Sequence, residues 1–124
     1  MTKQNSSGTD TLERIFHEPN RLAIMSAVCP AEKGLTFREL RDTTGMTDGN
    51  LNRHLKVLRD AKAVNIKKKF VAGKPQTTIT ISAHGLKCFS EYLTALETVL
   101  QNARRAIQPE QKTKAVTGTV TAAI

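Results

Sequence analysis

The chain has 124 residues, 39% of them hydrophobic, with 19 basic and 11 acidic side chains and a net charge of +8. That length suits one domain with a real core, and the composition excludes a disulfide scaffold, a wholly disordered chain and a membrane bundle, since no apolar run approaches roughly 18 residues. The charge is concentrated: residues 36–75 carry ten basic against four acidic side chains, whereas residues 1–35 carry four of each, and a basic block of this kind is the electrostatic footprint for a polyanion.

Residues 1–10, MTKQNSSGTD, are polar and read as a disordered lead-in rather than a secretory signal, so a cytoplasmic protein is expected. From Thr11 to Val28 the apolar residues Leu12, Ile15, Phe16, Leu22, Ile24, Met25 and Val28 recur at helical steps. Proline disfavours helical geometry at the residue before it, so Pro19 predicts a break near Glu18 and opens a second helix. Cys29-Pro30 ends that helix, and Ala31 to Leu35, containing Gly34, is read as a connection. Thr36 and Glu39 have capping-box spacing, and Phe37 and Leu40 give the short helix that follows an apolar face. Thr44-Gly45 stops it. Thr47 then caps a fourth helix from about Asp48 to Ala61, with Asp48 favourably placed for the helix dipole. Two helices around a glycine turn have the spacing of a helix-turn-helix.

After that the period changes. Val64-Asn65-Ile66 and Thr78-Ile79-Thr80-Ile81 alternate and are rich in β-branched residues, with a loop holding Gly73 and Pro75 between them. Lys67, Lys68, Lys69 and Lys74 make this a hairpin with a basic tip. A last helix starts at Ala83, capped by Ser82, and its Leu86, Phe89, Leu93, Leu96, Leu100 and Ala103 repeat at three- and four-residue steps, the spacing of a coiled-coil seam. A seam this long exceeds what one small lobe covers, so Leu86, Phe89, Leu93, Leu96 and Leu100 are assigned to a dimer interface. The expected organisation is a lead-in at 1–10, a helix-turn-helix and dimerisation domain at 11–105, and a flexible tail at 106–124.

In the fourth helix Leu51, Leu55 and Leu58 fall within an arc of about 60° and must face the core. The opposite arc holds Gly49, Arg53 and Lys56, flanked by Asn50 and Asn52. Arginine pairs bidentately with guanine and asparagine with adenine, so these are base- and phosphate-contacting types. Gly49, Asn50, Asn52, Arg53 and Lys56, with Lys67, Lys68, Lys69 and Lys74 of the hairpin, form the expected nucleic-acid-contacting set. Cys29 and Cys88 are far apart and His17, His54 and His84 lack ligand-spaced partners, so no metal and no cofactor are expected. No nucleophile-base pair or phosphate-cradling loop suggests an enzyme.

HEPNRLAIMSAV, LTFRELRDTTGMTDGNLNRHLKVLRDAKAV and a hairpin ending TTITIS before AHGLKCF together resemble bacterial and archaeal winged-helix transcriptional regulators. The chain is similar to the ArsR and MarR groups over roughly residues 11–105. The resemblance implies a mainly α fold with a small β-hairpin, a winged helix-turn-helix with a long C-terminal dimerisation helix. It also implies homodimers on a double-stranded DNA operator, with the recognition helix in the major groove and the wing, residues 67–76, on the flanking backbone or minor groove, and it adds Thr36 and Thr47 to the DNA-contacting set; a repressor role is expected. His54 stands where that pattern has histidine, and is read as helix-packing in preference to base-reading. The chain lacks the cysteine pair or the histidine and acid cluster of the metal-sensing members, and nothing in it names an effector ligand. A winged-helix protein-interaction module and a non-specific nucleic-acid-binding protein are the alternatives.

Overall fold

The computed structural model describes residues 12–107. The expected lead-in at 1–10 and the expected tail from residue 108 onward lie outside the described residues. Helix α1 is described over 12–16, followed by α2 (Pro19–Val28), β1 (Leu35–Thr36), α3 (Phe37–Thr44), α4 (Asp48–Asp60), β2 (Val64–Val71), β3 (Lys74–Ile81) and α5 (Ala83–Ile107). The chain divides into two units at Tyr92 and Leu93. Ala106 and Ile107, expected in the tail, continue α5.

Local chemistry accounts for the boundaries. Glu18 caps α2, accepting from the Arg21 backbone N–H at 2.9 Å, and Pro19 occupies its first turn, where a missing N–H costs nothing. Thr36 and Glu39 form the full capping box: Thr36 Oγ1 accepts from the Glu39 N–H at 3.0 Å and Glu39 Oε1 from the Thr36 N–H at 2.9 Å. Gly45, at φ 73°, closes α3 in the left-handed conformation. Thr47 caps α4 by accepting from the Asn50 N–H at 3.2 Å. Ser82 caps α5, accepting from the Gly85 N–H at 2.8 Å while its hydroxyl reaches the Lys62 carbonyl at 2.7 Å.

The sheet departs from the expected lone hairpin. β1 pairs antiparallel with β3, Leu35 opposite Ile79 and Thr36 opposite Thr78, giving a three-stranded sheet in the order β1-β3-β2. Two residues give no periodicity, so this strand is invisible as a pattern and arises only because β3 supplies a partner edge. Gly34 prepares it: at φ 85°, a Cβ there would meet the Ile79 carbonyl at 2.5 Å. The hairpin ladder is also longer than expected, running unbroken from Val64–Ile81 to Val71–Lys74. Its turn is Ala72-Gly73, both at positive φ, the two-residue geometry that matches strand twist.

The core of the first unit gathers Leu12, Phe16, Ile24, Met25, Val28, Leu40, Leu51, Leu55, Leu58, Ala63, Val64, Ile79, Cys88, Phe89 and Tyr92. Each large member contributes about 1.5–3 kcal/mol by leaving water. Phe16 meets Phe89 edge-on, with centroids 5.2 Å apart, and Tyr92 at 5.7 Å. Phe89 is therefore spent on its own lobe, and its assignment to the dimer seam is corrected. Its side chain is already dry, so a second copy has nothing there to bury. Gly85 lets the first turn of α5 lie against the α4–β2 connection, because a Cβ there would overlap the Ala63 backbone.

Candidate nucleic-acid interface

The inward edge of α4 is Leu51, His54, Leu55 and Leu58, all buried. Burial of that edge turns Gly49, Asn50, Asn52, Arg53 and Lys56 outward, and all five are exposed. Arg53 Nη2 donates to Asn50 Oδ1 at 3.2 Å, so the guanidinium and the amide already stand together on the first turns of the helix. At Gly49 a Cβ would meet nothing within 4 Å, so the backbone is open to close approach. Asp48, the acid at this helix end, is held by Arg41, Nη1 to Oδ1 2.9 Å, which offsets the charge that would repel phosphate.

His54 does not join the outward set. Its ring is buried, Nδ1 lies 3.2 Å from Arg21 Nη1 and 3.9 Å from Glu18 Oε1, and Nε2 has no partner among the described residues. A guanidinium can only donate, so Nδ1 accepts and the proton of the neutral ring sits on Nε2. Burial pushes the His54 pKa down, the Glu18 carboxylate opposes this, and the Arg53 and Arg21 charges reinforce it. A neutral, packed histidine results. Arg21 also donates from Nε to the Ile15 carbonyl at 2.8 Å, so this side chain ties the back of α4 to the α1–α2 break.

Lys67, Lys68, Lys69 and Lys74 are all exposed on the hairpin, but the register divides them between its faces. Lys68 pairs with Thr77 and shares a face with Val64, Ile66 and Phe70; Lys67, Lys69 and Lys74 lie on the other. The basic tip expected from sequence is thus two basic faces. Lys68 belongs with α4, lining a groove of about 520 Å³ with Asn52, Leu55, Lys56, Arg59, Phe37, Ile66 and Thr77. Lys74 lines a second groove of about 470 Å³ with Thr36, Arg38, Val71, Gln76 and others.

Thr36 therefore lies beside the basic surface, with its oxygen engaged in the α3 cap, and Thr47 likewise caps α4. Arg59 and Arg38 are absent from the sequence-derived set, yet both are exposed and line these grooves. Arg59 was legible, being seven residues after Asn52 and so on its face of the helix. Arg38 was not, since only the packing of α3 beside β3 brings it to Lys74.

On α5, Leu86, Leu93 and Leu100 are exposed, as are Val99 and Ile107, while Leu96 is half-buried. No described helix is long and apolar enough to cross a membrane.

A family described as a winged helix DNA-binding domain matches residues 20–100. The chain is 32% identical over 80 residues to an uncharacterized protein of Methanocaldococcus jannaschii, a match covering 64% of this chain and 86% of that protein. Among solved structures it is similar to a transcriptional regulator homologue from Pyrococcus horikoshii OT3, at 28% identity and a TM-score of 0.67, covering 73% of this chain and 88% of that one. It shares its fold with Staphylococcus aureus MepR in a structure of a MepR–DNA complex, at 13% identity and a TM-score of 0.61, covering 93% and 91% of the two chains.

Proposed function

Because the chain belongs to the winged helix DNA-binding domain family, we propose that it is a transcriptional regulator that binds a specific double-stranded operator as a homodimer in the cytoplasm. The observation that carries this reading is the two-sided character of α4, whose buried leucine edge turns Gly49, Asn50, Asn52, Arg53 and Lys56 outward as one set. The N-terminal part of α4 enters the major groove, where Arg53 and the two asparagines face base edges. Lys56, Arg59 and Lys68 hold phosphates along the groove between α4 and the hairpin, and Lys67, Lys69 and Lys74 meet the flanking backbone or minor groove. MepR, of the same fold, has been captured with DNA, which supports the reading.

The exposed leucines of α5 support self-association, with Leu86, Leu93, Leu96 and Leu100 covered by a second copy. A twofold dimer matches a palindromic operator. A dimer seated on such an operator excludes other proteins from it, so repression is the expected outcome.

The testing experiment is selection of bound fragments from a random double-stranded DNA pool, then titration of the winner and a scrambled duplex across a salt series. A palindromic winner bound at least about a thousandfold tighter than the scramble supports the reading. Equal, steeply salt-dependent binding of every duplex would leave non-specific binding. Weak binding to all of them would favour a protein-interaction module.

A further inference from the structure

Phe70 is 75% exposed, the most exposed large hydrophobic side chain among the described residues, and its neighbour Val71 is 44% exposed. It stands opposite Pro75, itself exposed, one pair short of the end of the hairpin ladder. Leaving a phenyl ring in water forgoes roughly 1.5–3 kcal/mol that burial would supply. Among the described residues nothing covers it.

The setting of this ring says what could. Lys68 stands two residues before it on the same face, Lys67, Lys69 and Lys74 lie on the other face of the same hairpin, and the stretch 61–90 contains no Asp or Glu at all. The apolar tip is therefore delivered by positive charge to a polyanion. Register places Phe70 on the same face as Lys68 and Thr77, which line the groove shared with Asn52, Lys56 and Arg59 of α4. Two residues along a strand is about 7 Å, so the ring extends the hairpin face that lines this groove with Asn52 and Lys56 of the outward set. Duplex DNA has an apolar counterpart for such a ring in its minor groove, where an inserted side chain can press between base steps.

We infer that Phe70 is an apolar wedge that enters the minor groove flanking the α4 site and presses against a flexible base step, making the regulator sensitive to DNA deformability there. This rests on the DNA-binding reading above and adds a source of specificity separate from base-edge hydrogen bonds. Pyrimidine–purine steps unstack most readily, so they are the preferred neighbours, and a stiff A-tract at the same place is disfavoured.

The test uses the full chain and the duplex it selects from a random pool, carrying 2-aminopurine at one flanking step at a time. The unaltered protein should brighten the probe at one step in each flank. Phe70→Ala should abolish that brightening and weaken binding by about tenfold, in line with the loss of one aromatic–base contact. Its salt slope should stay unchanged, because no phosphate contact is lost. Phe70→Leu, which keeps an apolar wedge, should retain most of the brightening and the preference for a pyrimidine–purine flank. The position is exposed, so neither variant disturbs the core.

A dark probe with the unaltered protein, together with unchanged affinity in Phe70→Ala, would overturn the wedge while leaving the regulator reading intact. Binding to phosphatidylserine-containing vesicles that Phe70→Ala abolishes, with DNA affinity unchanged, would overturn it in favour of a membrane surface. Failure to enrich any duplex would overturn both together, which separates the two outcomes.

Discussion

Arg41 Nη1 lies 2.9 Å from Asp48 Oδ1, so the last turn of α3 grips the first residue of α4 across the Gly45 turn. Hydrogen bonding to Asp48, together with its charge, raises the Arg41 pKa. The pair is largely solvated and adds little to stability, but it engages a cation at the edge of the proposed interface. Asp48→Asn should free Arg41 for phosphate, tighten binding to all duplexes and steepen the salt slope by about one unit. Anisotropy titrations across a salt series check this. An unchanged slope would place Arg41 away from DNA.

Arg53, exposed and joined to Asn50, is the outward residue with the strongest base-reading chemistry. Arg53→Ala should cost about 1–3 kcal/mol at the selected operator and relax preference at one position of each half-site. Lys68→Ala should instead weaken binding to every sequence and flatten the salt slope. Unchanged operator affinity in Arg53→Ala would show that α4 is rotated from the assigned orientation.

The His54 ring ties the stability of the lobe to pH. Its folded pKa is pushed below 6.5 by burial, so between that folded value and 6.5 the unfolded chain binds more protons. Stability therefore rises with pH through this window and is lost as pH falls below about 6.5. The melting temperature should drop between pH 7.5 and pH 5.5, and His54→Gln should flatten the dependence. Glu18 acts lower: burial works against its carboxylate, but the Arg21 backbone N–H and the charges of His54 and Arg21 outweigh it and hold its pKa below 4.5. Its contribution is present above pH 4.5 and disappears as pH falls through the folded value, so the two windows are separable. Equal slopes in the two proteins across pH 5.5–7.5 would show that His54 titrates normally.

Leu93 is 37% exposed and Leu96 half-buried on the part of α5 beyond Tyr92. Replacing both with Glu should leave the fold of the first unit intact and convert the proposed dimers to monomers in analytical ultracentrifugation. Operator affinity should fall with it, since each half-site is then bound independently. A double variant that sediments as the unaltered protein does would remove these residues from the interface.

Nearly all the helical framework was decided locally and is readable from the chain. Pro19, the Thr36–Glu39 spacing, Gly45 and the Thr47 cap each act on backbone within four residues, so α2, α3 and α4 start and stop where those residues demand. The outward set on α4 was equally legible, because 3.6 residues per turn and three leucines leave only one arrangement of Gly49, Asn50, Asn52, Arg53 and Lys56. The division of the chain at 1–10 and 106–124, and the remaining dimer-seam leucines, rest on patterning that these local rules do not decide.

Tertiary structure decided the rest, because pairing partners distant in sequence carry no periodic signal. β1 exists only through Ile79 and Thr78 on β3. The wing lysines split between two faces because cross-strand register, set over the whole ladder, sends neighbours to opposite sides. Phe89 sits at a seam position in the heptad pattern, yet Phe16, 73 residues earlier, claims it for the core. His54 shares the wheel with base-reading residues, and its burial follows from Arg21 and Glu18, supplied by a helix start more than 30 residues away. A sequence states what each side chain can do; which neighbour reaches it first is settled by the packing of the folded chain.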